Sequence, residues 1–255
     1  MYFRKSIATF LLLSWQTLAL AQQPVIAIII DDLGNNSSDE KAIYLPGAVA
    51  CAFLPHTPHT KRLAKLAHAN NKEVLLHAPM QSMHGDKKLG PGSLTLDMNE
   101  AEFIKTIQDG LASVPHVKGI NNHMGSLLTR HPGHMLWLMQ EINRQGDLFF
   151  VDSRTTAHSV ARMVANENQV PNLTRDVFLD AEEGTAFVEK QFNQLLSIAR
   201  RHGYALGIAH PYPDTLKVLQ KRLSKLNKEN IKLVPVSTLL KRRHGSDTWQ
   251  VSSSH

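Results

Sequence analysis

Residues 26–34 read "IAIIIDDLG". Five apolar, mostly β-branched residues run directly into Asp31 and Asp32, followed by Leu33 and Gly34. The apolar run has the composition of a buried strand. Two neighbouring carboxylates at its end repel one another, which raises at least one pKa unless something compensates. A cation is the obvious compensator.

Working outward, similar apolar runs recur at 48–54, 73–76, 117–120, 147–151, 176–179, 204–209 and 231–234. Between them the apolar spacing turns helical, over 60–70, 99–112, 133–145, 154–166, 184–202 and 213–227. Asn99 followed by Glu100 and Glu102 reads as a helix cap with first-turn acids. Gly203 after Arg200, Arg201 and His202 reads as a helix stop. Strands separated by helices imply a parallel sheet. Seven or eight such units in one domain, 24–242, favour an α/β fold of the (β/α)-barrel kind over an open sheet.

In such a barrel the C-terminal ends of all strands meet on one face, where sites form. The residues that follow each run are therefore informative. They are Asp31 and Asp32, then His77 in "LLHAPMQ", then Asn122 and His123 in "NNHMGS", then Asp152, Ser153 and Arg154, then Asp180, and finally His210 in "GIAHPYP". A carboxylate and two imidazoles with open positions make a catalytic metal site. Asp32, His77 and His123 supply that set from three strands. The set suits zinc, and also cobalt, nickel or iron. Asp31 is then placed to act as general base, and His210, across the mouth, as general acid. Asp180 or Asp152 can orient a histidine, and Asn122 and Arg154 complete the supporting or substrate-contacting candidates. Taken singly, each has a plainer role: the aspartates as helix caps, His77 as a core histidine, "NNHMGS" as a turn, His210 as a strand end. Their shared position is what points to a site.

Composition bounds the rest. The chain has 255 residues, 42% hydrophobic and 20% charged, an ordinary globular balance. Residues 1–21 carry Arg4 and Lys5, an apolar run and Ala19-Leu20-Ala21, the pattern of a secretory signal. That predicts an exported, periplasmic protein, with an uncleaved anchor as the alternative. The single cysteine, Cys51, excludes an intramolecular disulfide and thiolate metal clusters, and reads as a small buried hydrophobe. The net charge of +6 concentrates late, at Lys217, Lys221, Arg222, Lys225, Lys228, Lys232, Lys241, Arg242 and Arg243. This is a solvated face, or a surface for an anionic polymer or an envelope protein partner. Without aromatic interleaving it does not suggest nucleic acid. Residues 243–255 read as a flexible polar tail.

In order, "IIIDDLG", "VACAFLPHTP", "EVLLHAPMQ", "GINNHMGSLLT", "FFVDSRT", "RDVFLD" and "GIAHPYPDTL" resemble the divergent branch of the polysaccharide deacetylases, over about 25–240. The resemblance implies a distorted (β/α) barrel and metal-dependent removal of N- or O-acetyl groups from sugars of a cell-envelope polysaccharide or a peptidoglycan-derived glycan. It assigns the base to Asp31, metal ligands to Asp32 and His77, and the acid to His210. The chain departs from the main family at Gln81, where a second histidine is usual; His123 is the expected replacement. No aromatic substrate platform is evident. Two other classes stay open: a non-catalytic glycan- or envelope-protein-binding member on a degenerate barrel, and a metal-dependent hydrolase of a peptide-stem amide.

Overall fold

The computed structural model describes residues 22–83, 85 and 89–243. The leader-like segment 1–21 and the tail from 244 lie outside them. Among the described residues the strands are β1 (Val25–Leu33), β2 (Ala50–Phe53), β3 (Val74–Met80), β4 (Val117–Met124), β5 (Phe149–Asp152), β6 (Asn172–Thr174), β7 (Val177–Phe178), β8 (Tyr204–Ala209) and β9 (Lys232–Leu233). The helices are α1 (Glu40–Ile43), α2 (Thr60–Ala69), α3 (Glu100–Ser113), α4 (Pro132–Gln145), α5 (Ala161–Glu167), α6 (Thr185–His202) and α7 (Pro213–Leu223). No helix among the described residues is long and apolar enough to cross a membrane.

The ladders are parallel, in the order β6-β5-β4-β3-β2-β1-β8-β7, with β9 added beside the start of β1. The two end strands of this path are separated in the chain only by Arg175 and Asp176. The Arg175 N–H donates to Asp152 O on one side, and the Asp176 N–H donates to Leu206 O on the other. The sheet therefore curls round until its edges share one stretch of backbone. This is the expected α/β barrel, distorted where a single full strand is replaced by two short ones.

Local sequence explains the helices that frame it. Asn99 accepts from the Glu102 N–H while Glu102 reaches back to the Asn99 N–H, a full capping box. Pro132 and Pro213 open α4 and α7, where a missing N–H is harmless. Gly203 ends α6 at φ +82, a conformation that costs glycine little.

Two expectations need correction. The helix expected over 154–166 begins only at Ala161. Arg154, at φ +51, turns the chain out of helical geometry. The strand expected at 176–179 is the two-residue β7, and β6, just before it across Arg175-Asp176, is an additional short strand. β1, β3 and β4 run beyond their apolar cores, so His77 and His123 lie within β3 and β4 rather than after them.

Side-chain parity divides the core. Ile26, Ile28 and Ile30 face outward and pack with helix residues such as Phe192, Leu195 and Leu219. Val25, Ala27 and Ile29 belong to a second, inner cluster with Leu75, Val151, Leu173, Leu206 and Ile208. That cluster is completed by Val236, Leu239 and Leu240 from the helical segment 236–243, which plugs one end. Each fully buried aliphatic side chain contributes about 1.5–3 kcal/mol. Cys51 is buried, as expected.

The late basic segment is partly neutralised inside the fold. Arg222 bridges Glu189 of α6 and stacks over Phe192, and Lys221 also lies near Glu189. Arg200 bridges Glu229. Glu189 is distant in sequence, so the excess looks larger along the chain than it is on the surface. Arg243 is buried and donates to Asn172 O, so the fold extends at least to it.

Candidate metal centre

The inner rows continue upward into polar residues. On β1 the row Val25, Ala27, Ile29 ends in Asp31; on β3 Leu75 is followed by His77; on β8 Leu206 and Ile208 are followed by His210. On β4 the same parity carries Asn121 and His123. Strict alternation would send Asp32 to the other face from Asp31. Asp32 has φ +61, and the β1–β2 register shifts between Ile30 and Leu33. This left-handed step, which Asp tolerates better than most residues, brings both carboxylates to one place. Met124 at φ +54 and Arg154 at φ +51 follow the same pattern at the ends of β4 and β5, where strain of this kind is often held for function.

Three ligand atoms converge. Asp32 Oδ1 lies 2.8 Å from His123 Nδ1 and 3.1 Å from His77 Nε2. The two imidazole nitrogens are 3.2 Å apart. Asp32 Oδ1 is buried, yet these approaches give it no hydrogen bond of good geometry. Ligands about 2.1 Å from a tetrahedral ion stand roughly 3.4 Å apart, so the triad is close to the spacing an ion needs. Asp32, His77 and His123 form the one group of this kind found among the described residues. The donor set fits a divalent metal.

Around the triad the tautomers are set. Asn121 Nδ2 donates to Asp31 Oδ1 at 2.8 Å, which turns its Oδ1 toward His77. His77 Nδ1 therefore donates to Asn121 Oδ1 at 3.0 Å, leaving Nε2 for a metal. Opposite, His210 Nδ1 contacts Asp180 Oδ1 at 3.1 Å, and Asp180 Oδ2 accepts from the His210 N–H and the Thr215 hydroxyl. His210 Nε2 points at Asp32 Oδ2, 3.7 Å away.

The electrostatics follow. Burial pushes the Asp31 carboxyl up, against the attraction of His77 and His210 and the Asn121 hydrogen bond. Burial also opposes the Asp32 charge, but His123 and His77 outweigh it and hold Asp32 well below the usual carboxylate range. Burial works against a charged His210, yet the Asp180 hydrogen bond and the carboxylates of Asp32 and Asp31 lift it to about 9. Without a cation, the carboxylates favour protons on His77 and His210. A bound ion replaces protons on its ligands.

The centre opens into a cavity of about 360 Å³ lined by Asp31, His77, His123, Arg154, Arg175 and His210 among others. Asn122 does not reach the ligands: it donates to Met124 O and accepts from the Ser153 N–H, tying the tips of β4 and β5. Asp152 accepts from the Arg154 N–H and contacts none of the histidines named above. Gln81 is not in the metal set; it accepts from the Leu96 N–H and so holds the next loop. Sequence reading missed Asn121, which its spacing of two from His123 could have revealed. It also missed Arg175, Phe178 and Tyr212. The Phe178 and Tyr212 rings flank His210, each with its centroid 5.3 Å away, so aromatic surface does adjoin the centre.

Fold and centre together define a parallel (β/α) barrel with a hydrolase-like Asp-His-His constellation at the C-terminal ends of its strands. The chain belongs to the divergent polysaccharide deacetylase family, whose model matches residues 28–240. It is 36% identical over 240 residues to the uncharacterized protein YibQ of Escherichia coli (strain K12), covering 93% of this chain and 74% of that one. The fold is similar to the crystal structure of uncharacterized protein ATU2773 from Agrobacterium tumefaciens C58, with a TM-score of 0.82 at 25% identity, over 87% of this chain and 91% of that one. Peptidoglycan deacetylase PdaC from Bacillus subtilis has the same fold at 13% identity, with a TM-score of 0.54 over 92% of this chain and 99% of that one.

Proposed function

We propose that the protein is an exported, metal-dependent deacetylase-like hydrolase that removes an acetyl group, amide or ester, from a cell-envelope glycan such as a peptidoglycan-derived chain. The observation that carries this reading is the convergence of Asp32, His77 and His123 with a buried carboxylate, Asp31, on one side and a carboxylate-oriented imidazole, His210, on the other. One carboxylate and two imidazoles suit zinc best. When bound, the ion supplies polarisation of the acetyl carbonyl and a water of lowered pKa.

The chain's own residues do the proton work. Asp31 takes a proton from the water that attacks the acetyl carbon, which its raised pKa favours. Asn121 keeps the Asp31 carboxylate aimed at that water while fixing the His77 tautomer. As the carbon–nitrogen or carbon–oxygen bond breaks, His210 passes its Nε2 proton to the departing sugar atom. Asp180 holds the opposite nitrogen and keeps His210 charged until then. The products are acetate and a free amine or hydroxyl. The leader-like residues 1–21 support action outside the cytoplasmic membrane.

The test is elemental analysis of protein reloaded with zinc, joined to an assay for acetate release from N- and O-acetylated glycan fragments. About one zinc per chain with acetate release is expected. No retained metal would sink the reading, whereas metal without release from any glycan, but with cleavage of peptide stems, would shift it to an amidase.

A further inference from the structure

One wall of the cavity is unused by the chemistry above. Arg154 and Arg175 line it together with Phe178, beside His77, His123 and His210. Arg175 Nε donates to Ser153 O at 2.7 Å and its Nη2 donates to Arg154 O at 3.0 Å. Its guanidinium also lies over the Phe178 ring, 5.0 Å from the centroid. These contacts hold the group in place without neutralising it. The Arg154 side chain is exposed, and its backbone is pinned in the left-handed region by the N–H bond to Asp152 Oδ1.

Elsewhere in the fold four arginines find acids, Arg62 with Glu40, Arg144 with Glu141, Arg200 with Glu229 and Arg222 with Glu189, while Arg130, Arg162, Arg201 and Arg242, which do not line this cavity, show no ion pair among the described residues. Among the described residues, neither Arg154 nor Arg175 forms a salt bridge. Burial and the neighbouring Arg154 charge pull the Arg175 pKa down, against the longer-range attraction of Asp152, Asp31 and Asp176. A half-buried guanidinium with no carboxylate in direct contact has donors left to meet an anion from outside. A guanidinium fork matches a carboxylate in two parallel hydrogen bonds.

We propose that Arg154 and Arg175 form a carboxylate subsite in the catalytic cavity, so that the substrate is an acidic glycan whose sugar carboxylate lies on or next to the acetylated residue. This rests on the glycan reading given above and deepens it. The cavity holds both the ligand histidines and the two arginines, so the carboxylate belongs to the sugar being processed or its neighbour. Tyr212, stacked on the far side of His210, lines the clefts next to this cavity and offers a ring face to a neighbouring sugar.

The experiment uses the full chain loaded with zinc and calorimetric titration with three ligands. These are a tetrasaccharide alternating N-acetylglucosamine and glucuronate, neutral tetra-N-acetylchitotetraose, and tetra-N-acetylchitotetraose bearing a 6-phosphate. The glucuronate ligand is expected to bind about tenfold or more tightly than the neutral one, because its contacts are charge-assisted, with the advantage shrinking as salt rises. Arg154→Gln replaces a side chain that makes no hydrogen bond among the described residues, and is expected to erase most of that advantage. Equal affinity for the acidic and neutral ligands overturns the proposal. So does a preference that survives Arg154→Gln and high salt, a preference confined to the phosphate, or no binding of any of the three at millimolar concentration. Tight acidic binding without acetate release would break the catalytic reading and leave the subsite standing. Acetate release from tetra-N-acetylchitotetraose with no acidic preference would do the reverse.

Discussion

The lower and upper halves of the barrel interior are built from the same rows of side chains but hold opposite chemistry. Below, Val25, Ala27, Ile29, Leu75 and Leu206 close on Val236, Leu239 and Leu240 and exclude water. One step further along the same rows stand Asp31, His77 and His210. The apolar floor stabilises the fold and also sets the environment of the layer above it. A carboxylate resting on that floor has its pKa pushed up by burial, which is what a proton acceptor at neutral pH requires. The contrast teaches that core and site differ here in depth along a strand, not in the element that carries them. Substitutions in the two halves should therefore fail in different ways.

The largest expected effect is in the upper half. Asp31→Asn keeps the shape and the Asn121 contact but removes the proton acceptor. Turnover should fall by about 10²- to 10⁴-fold, while zinc content measured on the same sample stays near the wild-type value. Retained turnover would move the base elsewhere. In the lower half, Leu239→Ala leaves a cavity in the plug and should cost about 3 kcal/mol in urea unfolding, with zinc affinity unaltered. If zinc affinity falls along with stability, the two halves are not separable.

Much of this division can be read in the sequence, and the reasons for the gaps are physical. The alternation of apolar runs and helical spacing predicts the parallel barrel. Asp31, Asp32, His77, His123 and His210 can be found because each interrupts or follows an apolar run. The same polarity hides where the strands stop: β3 continues through His77 and Pro79 to Met80, and β4 through Asn121 to Met124, because the functional layer replaces apolar residues with polar ones. The segment 172–178 offers too few apolar residues on either side of Arg175 to show that it closes the sheet. Nothing in "DDLG" announces that Asp32 is left-handed, since the conformation is imposed by the shift against β2. Asn121 was overlooked beside His123 because an asparagine in "NNHMG" looks like a turn residue.

A smaller effect tests whether the upper layer acts as a network. Asn121 bridges Asp31 and His77, at 2.8 and 3.0 Å. Asn121→Ala removes the acceptor that fixes the His77 tautomer and touches no ligand atom directly. Losses at such supporting positions are typically about 10- to 100-fold in metal affinity, which competition with a zinc chelator would measure. Unchanged affinity would show that packing within β3 holds His77 by itself.

The smallest effect reverses the usual direction of a mutation. Asp31 has a folded-state pKa raised above its ordinary 3.8, with burial the largest cause. The folded protein thus binds this proton more tightly than the unfolded chain does. At any pH above the raised value, keeping Asp31 ionised opposes folding. The penalty shrinks as pH falls through that value and is gone below 3.8. Asp31→Asn removes it, so in chelator at neutral pH the variant should melt measurably higher than the wild type. The gap should narrow as the pH is lowered. It should also narrow when zinc is restored, because a cation held by Asp32, His77 and His123 offsets the same charge. A variant that melts lower than the wild type at neutral pH without metal would mean that the Asn121 hydrogen bond and the neighbouring imidazoles outweigh burial at Asp31. The upper layer would then be stabilised by its own polar network, without needing an ion to compensate the charge that the apolar floor disfavours.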